Sequence, residues 1–244
     1  MIRKLFLTFL LSTSILAGNV PAEGEAEVNS KIILRHFHQF TPKITSLIEY
    51  NWSQEELERK EKSLKLGFKY RVHNNVKLGI FYKRAYGLRH DDDWVWQNMK
   101  WLWNDTNSRG ENILIGEAGY KKLFGNYIFE TRLTYEHNFF NDHDAIKVRP
   151  GVTYLVLDEG AAFINLFLNY EAYLPLNFSE KSIYEQWIYA GLLYHYSDVI
   201  KPGVFYNFRK GYWTSSKDFK DKNLGKYEQT HSSHYLGVSL NIYY

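Results

Sequence analysis

Apolar and polar residues alternate one by one along most of this chain. The clearest stretches are 64–70, 127–135 and 164–170, where nearly every second residue is bulky and apolar. Successive side chains of a β-strand point to opposite faces of its sheet, so the alternation predicts strands with one apolar and one polar face. The pattern alone does not say which face is outside, and a soluble barrel with an apolar interior would show the same period.

The alternating segments predict eleven strands, separated by tight turns or by longer polar stretches. The predicted strands are 31–40, 43–52, 63–71, 76–86, 112–122, 126–140, 145–156, 161–174, 183–196, 199–213 and 230–244. Short turns alternate with longer connections along the chain. This asymmetry is typical of a barrel whose two ends face different compartments.

A six-residue frame recurs within these strands: any residue, an apolar residue or proline, glycine, an apolar residue, any residue, tyrosine. Five copies begin at Lys65, Lys77, Arg149, Tyr189 and Lys201, and a sixth copy near the C-terminus has leucine in place of the tyrosine. In every copy the glycine falls on the polar parity of its strand. Glycine suits a curved strand with crowded neighbours, so the frame predicts that the polar face lines the inside of a closed sheet.

The N-terminus has the layout of a secretory signal peptide. Two basic residues precede a short apolar stretch at 5–16, and Val20-Pro21-Ala22 fits a small-residue cleavage site. We therefore expect a signal peptide at 1–22 and a single domain at 23–244. Cleavage after Ala17 is the alternative.

Composition narrows the class of protein further. Without the two basic residues of the leader, 28 basic side chains face 27 acidic ones, so charge gives no reason to expect a nucleic-acid partner. The chain has no cysteine, hence no disulfide frame and no lipidated cysteine. No apolar run after the leader reaches about 18 residues, which excludes helical spans. Aromatic residues make up 18% of the chain, and export with this composition favours a transmembrane β-barrel.

Two further patterns agree with a barrel in a membrane. Tyrosines lie near the strand ends on the apolar parity, where an aromatic girdle meets lipid headgroups. The chain ends Leu240-Asn241-Ile242-Tyr243-Tyr244. This ending resembles the C-terminal signature of outer-membrane β-barrel proteins, which the barrel-assembly machinery reads at positions matching Leu240, Ile242 and Tyr244. The resemblance implies a Gram-negative-type outer membrane, with outer-membrane lipid as the surroundings.

The resemblance extends to architecture but names no activity. Size and charged interior are similar to the small twelve-stranded porins for acidic oligosaccharides, and also to barrel families without an assigned function. Because bacterial barrels have an even number of strands, we predict an all-β, antiparallel up-and-down barrel of ten to twelve strands. Twelve is favoured, with the extra strand between Trp94 and Trp103; ten would follow if 31–40 were tucked away.

The polar face carries more bases than acids. With that face inward, thirteen lysines and arginines meet six glutamates, and a confined tube with this imbalance favours anions. The leading hypothesis is a passive pore for small anionic solutes, without a cofactor. The residues predicted to line its lumen are Lys65, Lys69, Arg71, Lys77, Lys83, Arg132, Arg149, Lys201 and Arg209. The alternative is a lumen filled by ion pairs, in a structural or adhesive barrel with long loops at 87–111 and 214–229.

Two weaker constellations suggest other chemistry. His231 and Ser233 share one strand face, which a lipid hydrolase built on serine and histidine could use, but a nucleophile for lipid must face the bilayer or its rim. Asp91, Asp92 and Asp93 could bind calcium, although their spacing matches no known calcium loop and a solvated acidic loop explains them better. We therefore predict no catalytic site and no metal site, and these residues are the candidates for either.

Overall fold

A computed structural model describes residues 27–55, 59–90, 93–97, 100–179, 181–214 and 228–244. The predicted signal peptide, residues 1–22, lies outside the described part of the chain. The strands are β1 Glu27–Gln39, β2 Ile44–Glu55, β3 Arg59–His73, β4 Val76–Tyr86, β5 Trp94–Gln97, β6 Lys100–Trp103, β7 Gly110–Phe124, β8 Tyr127–Asn138, β9 His143–Asp158, β10 Ala161–Pro175, β11 Glu185–Tyr194, β12 Ile200–Thr214 and β13 Glu228–Tyr243.

Eleven of these strands, within the described residues, close into one barrel in the order β1-β13-β12-β11-β10-β9-β8-β7-β4-β3-β2. Neighbours along the chain pair antiparallel, but β1 and β13 close the ring as a parallel pair, from Glu27 opposite Ser233 to Phe37 opposite Tyr243. The favoured count of twelve was therefore wrong, and so was a purely antiparallel ring. A ring with an odd number of strands must contain one parallel pair. The expected twelfth strand is instead the β5–β6 hairpin, which pairs only with itself.

The strands otherwise agree closely with the alternating segments. The short connections at 40–43, 74–75, 125–126, 159–160 and 195–199 lie at one end of the barrel, here the turn end. Gly125 and Gly160 have positive φ angles of 57° and 84°, which glycine adopts without steric cost. The opposite end, here the loop end, carries the other connections. The predicted polar stretch 53–62 is mostly strand, because β2 and β3 continue to Glu55 and from Arg59.

Apolar side chains cover the outside of the barrel. Leu66, Phe68, Ile80 and Leu168 are 42%, 54%, 60% and 52% exposed, whereas the alternate residues are buried or half-buried. This distribution is the reverse of a soluble barrel with an apolar interior. Among the described residues, no helix is long and apolar enough to cross a membrane.

The recurring glycines make room for aromatic side chains inside the barrel. A Cβ on Gly79 would lie 2.6 Å from the ring of Phe81, and one on Gly67 would lie 2.7 Å from the same ring. Phe205 lies in the same way over Gly237. Four of the six frame glycines, at 67, 79, 191 and 237, lie against an inward phenylalanine, whereas Gly151 faces Asn169 and Gly203 faces Leu193. At most copies the frame therefore marks a position where an inward aromatic ring needs space, a more specific reason than strand curvature alone.

Two apolar clusters fill part of the interior. The first contains Leu47, Phe81, Ala85, Ile113 and Ile115, against which Phe37 and Leu88 pack. The second contains Tyr184 and Trp213, with Tyr173 and Phe178 against them. Leu88 and Phe178 come from connections at the loop end, so chain from that end contributes to the packing of the barrel interior.

Candidate functional site in the barrel interior

The nine bases predicted to line the lumen all lie on the inward-facing parity of their strands. The same face carries six glutamates and three further bases that pair with them, Arg35, Lys121 and Lys147. The interior is therefore a charged surface, in which the bases gather around single carboxylates.

Glu117 on β7 holds two bases. Its carboxylate accepts a hydrogen bond from Lys69 Nζ at 2.7 Å and lies 3.4 Å from Arg132 Nη1. Lys69 comes from β3 and Arg132 from β8, so one carboxylate ties together strands on both sides of β7. The Glu117 side chain is 9% exposed, which makes these contacts strong and costly to break.

Glu49 on β2 forms a second group of this kind. Arg35 Nε donates to its carboxylate at 2.5 Å, and Lys65 Nζ lies at 3.1 Å. The amide of Asn51 donates to the same carboxylate at 3.0 Å. Three neighbouring strands are joined through one acid.

The remaining predicted interior acids are also paired. The pairs are Lys121–Glu130 at 2.5 Å, Lys147–Glu136 at 2.8 Å, Arg149–Glu171 at 3.7 Å, and Arg209–Glu185. Each of the six glutamates predicted to face inward thus binds at least one base. The excess of positive charge remains with the bases that have no acid.

Three pairs of bases face each other directly across neighbouring strands. Arg71 is in register with Lys77, Lys65 with Lys83, and Arg132 with Arg149. Like charges opposite each other destabilise a sheet; two that lie about 6 Å apart repel by roughly 3 kcal/mol at an effective dielectric constant near 20. No ion pair involves Arg71, Lys77 or Lys83 in the described part of the chain. An anion between such bases would relieve the repulsion.

Several paired bases still retain contact with solvent. The side chains of Arg132 and Arg35 are 32% and 30% exposed, although both hold carboxylates. Arg209 differs, with 8% exposure and tight contact with Glu185. Solvent therefore reaches Arg132 on β8 and Arg35 on β1, while Arg209 on β12 is packed.

A cavity of about 420 Å³ lies where the charged wall meets the turn end. Its lining includes Arg71, Lys77 and Lys121, the amides of Asn74 and Asn75 on the β3–β4 turn, and the paired group around Glu117. Five bases and two glutamates contribute to it. Bases therefore outnumber acids by three in its lining.

Aromatic rings hold several of the bases in place. Arg149 lies 3.8 Å above the centre of the Tyr189 ring, and Lys201 lies 4.7 Å from that of Tyr243. Lys31 lies near the rings of Trp187 and Tyr235. Sequence reasoning missed Lys31 because the first strand was expected to begin there; its parity with Ile33 and Arg35 could have shown that it faces inward.

At the loop end, Arg109 ties the long connection to the barrel. It donates to both carboxylate oxygens of Asp93, to Glu111 Oε1 at 3.0 Å and to the carbonyl oxygen of Leu88. The hydrogen bonds to Asp93 raise the pKa of Arg109 above its usual value. Glu111 also contacts His90 Nε2 at 2.9 Å.

This arrangement bears on the possible calcium site. Asp91 and Asp92 lie outside the described residues, and both oxygens of Asp93 are engaged by Arg109. Among the described residues no group of three or more histidine, aspartate or glutamate side chains is arranged to hold a metal ion. Asp93 instead helps Arg109 to hold the connection between β4 and β7 against the barrel.

His231 and Ser233 do come together. Ser233 Oγ lies 2.9 Å from His231 Nε2, close enough for a hydrogen bond. Both face the interior, in register with Gly211 and Arg209, and Ser233 is completely buried. A lipid outside the barrel would have no access to that hydroxyl, so this pair does not have the exposure that a lipid hydrolase requires.

The three residues of the C-terminal signature lie on the outer face of β13. Leu240 is in register with Leu34 on one side and Pro202 on the other, and Ile242 with His36 and Ile200. Tyr244 is 67% exposed, and its ring lies 5.5 Å from that of His36. These side chains continue the apolar outer wall to the turn end.

No protein-family model matches this chain, and no curated protein matches it either.

Proposed function

We propose that this protein is an outer-membrane β-barrel that forms a narrow passive channel with a preference for small anions. The observation that carries the proposal is the cross-strand pair of Arg71 and Lys77, in which neither base forms an ion pair with a carboxylate of the described residues. Like charges directly opposite each other destabilise a sheet, and a small anion between them would relieve the repulsion. Arg132 nearby is 32% exposed although it holds Glu117, so this part of the interior keeps contact with solvent.

The outer wall supports the membrane location. On β3, exposed apolar residues run from Leu64 to Val72, eight residue steps or about 26 Å along the strand. With the usual strand tilt of about 40°, this corresponds to a band roughly 20 Å tall, near the height of about 25 Å typical of outer-membrane barrels. Lys62, two residues before Leu64 on the same outer face, marks the edge of the band toward the loop end.

Leu66→Arg tests the membrane location. Leu66 is 42% exposed at the middle of the band, so in water an arginine there would cost almost nothing. In a bilayer the same change destabilises the barrel by about 2–4 kcal/mol. We expect it to reduce folding into lipid vesicles strongly, measured by protease protection. Thr131→Arg, also on the outer face but nearer the turn end, is the control and should reduce folding less, since the cost of an arginine falls toward the membrane surface. Equal folding of Leu66→Arg and wild type would contradict a lipid-facing wall.

Lys77→Glu tests the anion preference. Lys77 faces Arg71 across the strand pair, so a carboxylate there replaces repulsion by attraction and should leave the barrel intact. In planar bilayers under a salt gradient we expect the wild-type reversal potential on the anion side, and a shift toward the cation side in the variant. Lys122→Glu makes the same charge change on the outer face of β7 and should not shift it. Absence of conductance steps, or cation preference in the wild type, would refute the channel.

A second candidate is a structural barrel with a filled lumen. The specific observation in its favour is the cluster of Leu47, Phe81, Ile113 and Ile115 closed by Leu88 from the loop end. If this cluster seals the interior, the bilayer experiment shows no conductance although the protein inserts. The same experiment therefore decides between the two functions.

A further inference from the structure

Two cations at the turn end have no carboxylate to balance them. In the cavity there, Glu117 is shared by Lys69 and Arg132, and Glu130 binds Lys121 at 2.5 Å. Arg71 and Lys77 remain, opposite each other on β3 and β4. Five bases and two glutamates line the cavity, so three positive charges are in surplus, and two of them belong to Arg71 and Lys77.

We propose that the turn-end cavity is a binding site for a soluble, doubly charged oxyanion, namely phosphate or a phosphate monoester. A phosphate monoester carries about −1.5 to −2 charge at pH 7, which matches the surplus of Arg71 and Lys77. The inference deepens the proposed channel and rests on it for the route of the solute, because it names the class of anion that the channel admits. Binding itself is measured separately from passage.

The donor groups suit a tetrahedral oxyanion. The Nε–H of Arg71 is buried and has no hydrogen-bond partner among the described residues. A guanidinium offers donors in a fork that matches phosphate oxygens, while Lys77 adds a compact charge. The amides of Asn74 and Asn75 line the same cavity and add further possible donors. A spherical chloride ion lacks the pair of oxygens that a guanidinium fork contacts in a bidentate manner, so it gains less from Arg71.

The floor of the cavity has room for such a ligand. Gly119 on β7 lies in register between Lys77 and Arg132. A Cβ built on Gly119 would meet nothing closer than the carbonyl oxygen of Lys77 at 3.9 Å. The missing side chain leaves space between the two unbalanced cations and the paired group around Glu117. Both the size and the charge of the site therefore suit a phosphate group.

The experiment is a calorimetric titration of the refolded chain in a maltoside detergent, which contains no phosphate. The probes are inorganic phosphate, glycerol phosphate and chloride at equal ionic strength. We expect both phosphates to bind and chloride to bind at least tenfold more weakly. Arg71→Gln should reduce phosphate affinity at least tenfold, whereas Lys122→Gln, with the same loss of charge on the outer face, should not change it.

A second variant distinguishes loss of phosphate binding from loss of folding. Gly119→Asp has space for its side chain and supplies a fixed carboxylate to the unbalanced cations, so it should fold and abolish phosphate binding. Equal affinity for phosphate and chloride, or unchanged phosphate binding in Gly119→Asp, would overturn the site. Binding without conductance in bilayers would retain the site and remove the channel, and conductance without phosphate binding would do the reverse.

Discussion

Gly67→Ala and Gly79→Ala should both destabilise the barrel, but a second substitution, Phe81→Ala, should remove only the cost of Gly79→Ala. On Gly79 the added methyl group meets the ring of Phe81 at 2.6 Å and otherwise only ordinary contacts. On Gly67 it would overlap the carbonyl oxygen of Ile80 and lie 2.7 Å from Phe81 Cα, so the backbone of β4 must move. Overpacking of this kind costs about 1–3 kcal/mol, and more where backbone is involved.

Phe81→Ala separates the two cases. We expect the cost of Gly79→Ala to disappear in the Phe81→Ala background and the cost of Gly67→Ala to remain, measured as unfolding free energy in urea with the barrel in lipid vesicles. Phe81→Ala alone should cost about 3–5 kcal/mol, since the ring is 1% exposed. Gly116→Ala is the control, because nothing lies within 4 Å of its added Cβ. Equal costs at Gly79 and Gly116 would show that Phe81 does not lie over the frame.

Glu117→Gln should produce the second large effect. The change leaves Lys69 and Arg132 without their shared carboxylate, and removing one partner from a mostly buried ion pair destabilises a protein by roughly 3 kcal/mol. It also removes a negative charge from the interior. We therefore expect a lower unfolding midpoint in urea together with a stronger anion preference in bilayers.

Lys69→Gln combined with Glu117→Gln restores the charge balance and should recover part of the lost stability, since Arg132 alone then lacks its acid. Asp158→Asn, an exposed carboxylate at the end of β9, is the control and should change neither quantity. A Glu117→Gln protein as stable as the wild type would mean that solvent screens the three charges from one another.

Much of the barrel follows from sequence, with informative exceptions. The eleven alternating segments correspond to the eleven strands of the ring, and the preference for twelve came from a rule about even strand numbers. Trp94 to Trp103 has strand-like alternation, yet it forms a hairpin of its own, because local pattern does not say whether a strand pairs with the barrel or with its neighbour. The parallel pairing of β1 with β13 could not be foreseen from residue pattern either.

The candidate site divides in the same way. That Lys69, Glu117 and Arg132 face inward follows from parity along their strands. That they contact one another does not, since 48 and 15 residues separate Glu117 from its two partners. Leu88 and Arg109 both lie in a polar connection. Nothing in its residue pattern predicted that Leu88 packs against the interior cluster or that Arg109 binds Asp93 and Glu111. Partner choice depends on register between strands, which only the closed sheet establishes.

The sequence by itself determined that this chain forms two-faced strands, apolar on one side and basic with glycine on the other, because period-two alternation is a local property of an extended backbone. The tertiary structure decided how many strands close the ring, which base meets which acid, and why glycine recurs. Those features depend on neighbours distant in sequence: Phe81 needs Gly67 and Gly79 beside it, and Arg71 faces Lys77 only once β3 and β4 pair in register. Every strand carries the same pattern, so the pattern cannot specify its own partner.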